Sequence, residues 1–311
     1  MFYYYNYGYK IKSDINLPLN IKVSPAHERI IQVQELININ AKSCLVPYTV
    51  DITQDKKLQC FVGEYDSSLI LIFEHYVLFE FIKYEDRILF SYYFYDEYPT
   101  EWKERLICRF GFSYLLSWLG MTVLHGSAVS DGENTICMVA DSNSGKSSLA
   151  GLFVSDGKYL VADELVVLER RNNNLIAYNS SNYLFLSENS ICKLRFENCS
   201  IEHVGFSFKN DYMDLSEDKR RVNLSNYIDI NPRICNNIIC IIRDEKIDPW
   251  IETLKITDAF VLLLRYIYAP IVFPFMRKNL LDIVKCISVQ KLHYYDCFDQ
   301  FGLIKSILKF D

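Results

Sequence analysis

A mixed α/β fold with a β-rich N-terminal segment is predicted by three observations. Between residues 135 and 154 an apolar run feeds a small polar loop that opens onto helical apolar spacing. Before residue 98, short runs rich in β-branched and aromatic residues alternate with turn residues. After residue 237, strand-like and helix-like segments alternate, as in a sheet covered by helices. Pro99 marks the change of pattern, which divides the chain into an antiparallel β-rich domain, 1–98, and an α/β domain, 99–311.

Composition narrows the class. The 311 residues are 50% hydrophobic and 15% aromatic, enough for a large core. The formal net charge is −6, and Lys and Arg are scattered, so nucleic acid is not an expected partner. Ten cysteines stand far apart with no C-x-x-C pair, which reads as free thiols rather than a zinc site. The opening six residues lack the basic and apolar regions of a signal peptide, and a cytoplasmic location is expected. The most membrane-like stretch, 259–276, is interrupted by Arg265, Pro270 and Pro274, so no membrane span is expected.

Taken in order, strands are expected at 58–64, 68–73, 76–82 and 88–94, forming an antiparallel meander whose aromatics pack across the sheet. Thr100 can cap a helix reaching Leu119, with Gly120 as its stop. A strand at 123–130 turns at Asp131-Gly132 into the strand 135–139. The helix 146–154 ends at Gly157, and the strand 158–168 carries the adjacent acids Asp163 and Glu164. Strands at 175–178 and 183–186 lead to a helix at 190–196 and an irregular polar stretch up to Arg221. The last third reads as strand 237–243, helices 257–268 and 277–288, strand 291–295 and helix 298–308.

The chemistry sits in the stretch CMVADSNSGKSSLA, 137–150, which reads as a phosphate-binding loop between a strand and a helix. Such a loop turns backbone N–H groups inward at a helix N-terminus, where the helix dipole and unpaired donors favour a polyphosphate. The cradle is expected to be Ala140, Asp141, Ser142, Asn143, Ser144, Gly145, Lys146, Ser147 and Ser148. Lys146, expected to face solvent, would reach the phosphates, and the Ser147 hydroxyl would reach Mg²⁺. Ala140 and Asn143 stand where glycines are usual. Ala suits a position with negative φ, and Asn enters left-handed backbone at modest cost. Two carboxylates in an apolar strand need partners, and an acid after a phosphate loop suits Mg²⁺ or an attacking hydroxyl. His125 is read either as a core histidine or as a neighbour of the transferred phosphate. In Lys219-Arg220-Arg221 a solvated charge run and an anion-binding arginine are both open.

Three separated segments, LHGSAV at 124–129, DSNSGKSS at 141–148 and LVADE at 160–164, together resemble the nucleotide core of the HPr serine kinase/phosphorylase family. That family's P-loop fold is similar to that of ATP-dependent phosphoenolpyruvate carboxykinases. The segment 7–19 resembles the N-termini of stand-alone HPr-kinase-like proteins, some of which accompany peptide-maturation genes and phosphorylate a peptide serine. The resemblance implies an ATP- and Mg²⁺-dependent kinase acting on a hydroxyl of a peptide, protein or small molecule, and allows a homo-oligomer. It implies Lys146 and Ser147 as nucleotide and metal ligands, Asp163 as the acceptor of the hydroxyl proton, Glu164 as a metal-associated acid and His125 beside the phosphate. Glu164 and the two loop positions depart from the family's pattern. For the charge-stabilising arginine, Arg221, Arg195 and Lys219 are candidates.

Overall fold

The computed structural model describes residues 1–19, 29–36, 46–53, 56–65, 67–73, 76–194, 196, 199–203, 219–228, 231–245, 248–268 and 275–310. Met1–Leu119 and Gly120–Asp311 are two compact units.

The first unit is one eight-stranded sheet. Its strands are β1 (Phe2–Asn6), β2 (Tyr9–Ser13), β3 (Ile30–Glu35), β4 (Val46–Thr53), β5 (Lys56–Tyr65), β6 (Ser68–Phe73), β7 (Val77–Lys83) and β8 (Arg87–Phe94). Their order is β1-β2-β3-β8-β7-β6-β5-β4. β5 to β8 form the expected antiparallel meander, but β3 joins both β2 and β8 in parallel, so the sheet is mixed. Alternating apolar residues mark a strand; they do not select its partner.

The helix after Pro99 packs within this unit, which extends it past residue 98 to Leu119. It is continuous in path but changes pitch: α1 (Thr100–Leu106), a π turn at Ile107–Gly111, then α2 (Phe112–Trp118). Thr100 is not the cap; Pro99 occupies that position and no side chain caps the helix. The π turn ends at a close contact. A Cβ on Gly111 would lie 2.3 Å from the Phe90 ring, so only glycine admits this approach. Phe112 stacks edge-on against Phe90 at 5.3 Å, and Tyr114 meets Phe73 at 5.7 Å.

The second unit contains β9 (Thr122–Ser130), β10 (Thr135–Val139), α3 (Lys146–Ser155), β11 (Tyr159–Arg171), β12 (Asn174–Tyr178), β13 (Tyr183–Ser187) and α4 (Glu188–Lys193). There follow β14 (Ile201–His203), β15 (Lys219–Asn223), β16 (Arg233–Arg243), β17 (Trp250–Thr253), α5 (Ile256–Leu264), α6 (Phe275–Cys286), β18 (Ser288–Tyr294) and α7 (Phe301–Leu308). The main sheet runs β10-β9-β11-β12-β16-β18-β17. β10 also pairs in parallel with β16, so the first five strands close a ring of pairings, and β18 continues in parallel beside β16. β13, β15 and β14 form a second, three-stranded sheet in the order β13-β15-β14.

Every residue of β10 is buried, because apolar layers cover both faces of the sheet. One layer joins Met138 to Leu149 and Phe153 of α3, Leu184, Val222, Leu292 and Ile304. The other joins Cys137 and Val139 to Val166, Cys240, Leu263 of α5 and Leu280 of α6. Each large apolar side chain so buried contributes about 1.5–3 kcal/mol.

Three further expectations are corrected and one strand is added. The helix expected at 190–196 is α4, which starts earlier because Ser187 caps it by accepting the Ser190 N–H. The stretch before Arg221 is not wholly irregular: β14 and β15 are strands, and Lys219-Arg220-Arg221 belongs to β15. The helix 257–268 stops at Leu264, after which Tyr266 and Tyr268 bond to the backbone of β9. The short β17 has no counterpart in the sequence reading. Among the described residues no helix is long and apolar enough to cross a membrane, and the cysteines are free thiols, Cys137 and Cys235 sharing a hydrogen bond at 3.3 Å.

Candidate functional site

The loop 140–148 leaves β10 at Val139 and closes on α3. Gly145 is the N-cap with φ 94°, a left-handed conformation that costs glycine nothing. Asn143 also lies in that region, at φ 62°, whereas Ala140 has no positive φ. Both substitutions therefore suit the backbone they occupy. Gly145 is constrained on its outer side as well, since a Cβ there would meet the Tyr294 hydroxyl at 3.0 Å. That hydroxyl, carried by β18, donates to the Ser144 carbonyl at 3.3 Å and props the loop from below.

Lys146 does not face solvent. Its side chain folds back into the loop, 7% exposed, and Nζ donates to the carbonyls of Ala140 at 2.8 Å and Asp141 at 2.9 Å. A buried ammonium needs acceptors, and the loop's own carbonyl oxygens supply them.

Asp163 lies on β11 directly opposite Ser127 of β9 and is 4% exposed. Its Oδ1 accepts from the Ser127 hydroxyl at 2.6 Å and from the Ser147 hydroxyl at 3.0 Å, while Oδ2 accepts the Phe185 N–H at 3.0 Å. Burial pushes its carboxyl from 3.8 to about 6; the Ser127, Phe185 and Ser147 hydrogen bonds pull it down, and neighbouring Glu164 pushes it up. The pair Ser147–Asp163 thus joins the helix N-terminus to a buried acid whose carboxyl is pushed up to about 6.

His125 stands two residues before Ser127 on the same strand, so both project from one face of β9. It is half-buried, and its Nδ1 lies 3.2 Å from the Tyr268 hydroxyl. Asp141 is held from the opposite side. The Tyr266 hydroxyl donates to Oδ1 at 3.3 Å, and the Arg265 guanidinium lies 3.4 Å away.

No protein-family model matches the chain, and no curated protein matches it. Among solved structures the chain is similar to the HPr(Ser) kinase/phosphatase of Coxiella burnetii, at 15% identity and a TM-score of 0.34, over 60% of this chain and 93% of that one. That is a distant structural relationship, and no residue role is drawn from it.

The fold thus brings Lys146 and Ser147, at the start of α3, together with Asp163 inside β11. Glu164, the next residue, has φ 69° in mid-strand, a conformation that costs a non-glycine residue about 1–3 kcal/mol. Arg221 lies opposite Phe185, whose N–H binds Asp163, and its guanidinium covers the Tyr183 ring at 4.5 Å. Lys219 is in the same strand, and Arg195 lies outside the described residues. Sequence reading missed Ser127, Tyr266, Arg265 and Tyr294. Ser127 was findable, because it lies in the LHGSAV segment of β9, two residues after His125; the others come from remote segments and carry no local signal.

Proposed function

We propose that this chain is an ATP-dependent kinase of the HPr-serine-kinase-like type, transferring the γ-phosphoryl group to a hydroxyl. The acceptor is a Ser or Thr of a peptide or small protein, or a small molecule. The reading rests on one observation, the 3.0 Å contact of the Ser147 hydroxyl with the buried Asp163 carboxylate beneath a strand–loop–helix. Incidental Gly-Lys-Ser turns do not require a desolvated acid at that hydroxyl.

The residues suit MgATP. Ser147 and Glu164 carry hard oxygen donors, and among the described residues no cluster of three or more His, Cys, Asp or Glu could hold a metal alone. Mg²⁺ is commonly held by one or two protein oxygens, with phosphates and water completing its shell. MgATP would supply the transferable phosphoryl group. The loop N–H groups and Lys146 would bind its phosphates, Lys146 exchanging the Ala140 and Asp141 carbonyls for phosphate oxygens. Ser147 would hold the metal, with Glu164 beside it. Asp163 would accept the proton of the acceptor hydroxyl, for which a carboxyl near 6 is suited. His125 and either Arg221 or Arg265 would offset charge on the transferred group. A cytoplasmic setting and a possible homo-oligomer belong to the same proposal.

A second reading is a nucleotide-binding module without transfer. It is favoured by the hydrogen bonds that already engage both oxygens of Asp163. Incubation with γ-labelled ATP, Mg²⁺ and serine-containing peptides separates the two. Label transfer that is lost in Lys146→Ala and Asp163→Asn supports the kinase. Nucleotide binding without transfer to any acceptor supports the module, and absence of binding removes both readings.

A further inference from the structure

The parallel strands β10, β16 and β18 end at one edge of the sheet, the edge from which the loop 140–148 departs. In register, Val139 of β10 faces Cys240 of β16, Cys240 faces Lys291 of β18, and two residues further Ile242 faces His293. The antiparallel edge strand β17 then sets Trp250 opposite His293. Val139, Cys240 and Val289 belong to one core layer, so His293, an even number of residues from Val289, projects on that side, and Trp250 with it. Asp141 of the loop is tied to the same side through Tyr266, whose hydroxyl also lies 3.8 Å from the Cys240 sulfur.

The pair at the far end of this row has the properties of a stacking platform. The Trp250 and His293 rings lie 3.9 Å apart and 9° from parallel. His293 Nδ1 is pinned to the Asp244 carboxylate at 2.6 Å, and the Asp244 N–H is bonded to the Tyr294 carbonyl, so the lower ring is fixed from the sheet. Trp250 nevertheless remains 44% exposed.

We infer that Trp250, backed by His293, is the platform on which the base of a purine nucleotide stacks while the loop 140–148 holds its phosphates. Three strand spacings separate β10 from β17, about 14 Å, a span suited to a nucleotide lying across the strand ends. The inference rests on the loop's proposed phosphate binding and adds the base-recognition site to it.

Calorimetric titration of the full chain with MgATP and, separately, with inorganic tripolyphosphate tests it. Trp250→Ala is expected to weaken MgATP roughly 5- to 150-fold, the worth of one base–aromatic stack, and to leave tripolyphosphate unchanged. Trp250→Phe should retain most of the affinity, and melting curves should be similar because the ring is on an exposed edge strand. If Trp250→Ala binds MgATP as tightly as the wild type, or loses both ligands equally, the platform is overturned while the loop assignment stands. A wild-type chain that binds neither ligand overturns the loop assignment and the platform together.

Discussion

Asp163 is ionised at neutral pH against the preference of its surroundings. With the carboxyl raised from 3.8 to about 6, the folded chain holds a proton that the unfolded chain has released across that interval. Stability from this group is therefore full below about pH 4, falls as pH rises to about 6, and is flat above. The rise corresponds to about 3 kcal/mol. Asp163→Asn removes the titration, so its melting temperature relative to wild type should climb between pH 4 and pH 7; thermal scans across that range check it, and a constant difference would show that burial does not govern this carboxyl. The same variant should keep MgATP binding and lose roughly 10²–10⁴ in transfer rate, measured with labelled ATP. In the wild type, kcat/KM should rise with pH through about 6. At Ala140 and Asn143 the backbone already suits the residues present, so glycine at both should shift MgATP affinity only a fewfold by calorimetry. Gly145→Ala should do far more damage, since φ is 94° and the new methyl would press on Tyr294.

At the scale of elements, α3 orients the loop, and Phe153 is its deepest anchor, fully buried with Phe301 at 5.1 Å and Phe310 at 5.2 Å. Phe153→Ala should cost about 3–5 kcal/mol by chemical denaturation, because the cavity opens between elements that cannot all close on it. The contact is also a lesson in what a sequence conveys. The strand–loop–helix was legible, because the apolar run 135–139, the Gly-Lys-Ser sequence and the helical spacing are all local. The meander from β5 to β8 was legible for the same reason. Not legible were the parallel insertion of β3 beside β8 and the closure of β10 onto β16, which depend on strands distant in the chain. β15 was hidden by its charges: Lys219-Arg220-Arg221 reads as a solvated run until Leu186 and Phe185 are seen paired with it. In the site, Asp163 announced itself as an acid in an apolar strand. Tyr294 and Arg265, more than a hundred residues from the loop they touch, had no spacing to reveal them.

At the scale of the whole molecule, every residue argued to bind or act lies in Gly120–Asp311, while Met1–Leu119 has its own aromatic core. In that core Phe81 is fully buried, with Phe79 at 6.4 Å and Phe90 at 4.8 Å. Phe81→Ala should therefore lower stability by about 3–5 kcal/mol through cavity formation. MgATP affinity, measured by calorimetry well below the melting transition, should stay unchanged, since the partners described above for Lys146, Ser147 and Asp163 all belong to the second unit. Phe153→Ala offers the contrast, because its cavity lies directly under α3 and should weaken MgATP as well as the fold. Equal losses of affinity in the two variants would mean that affinity follows overall stability rather than the cavity under α3.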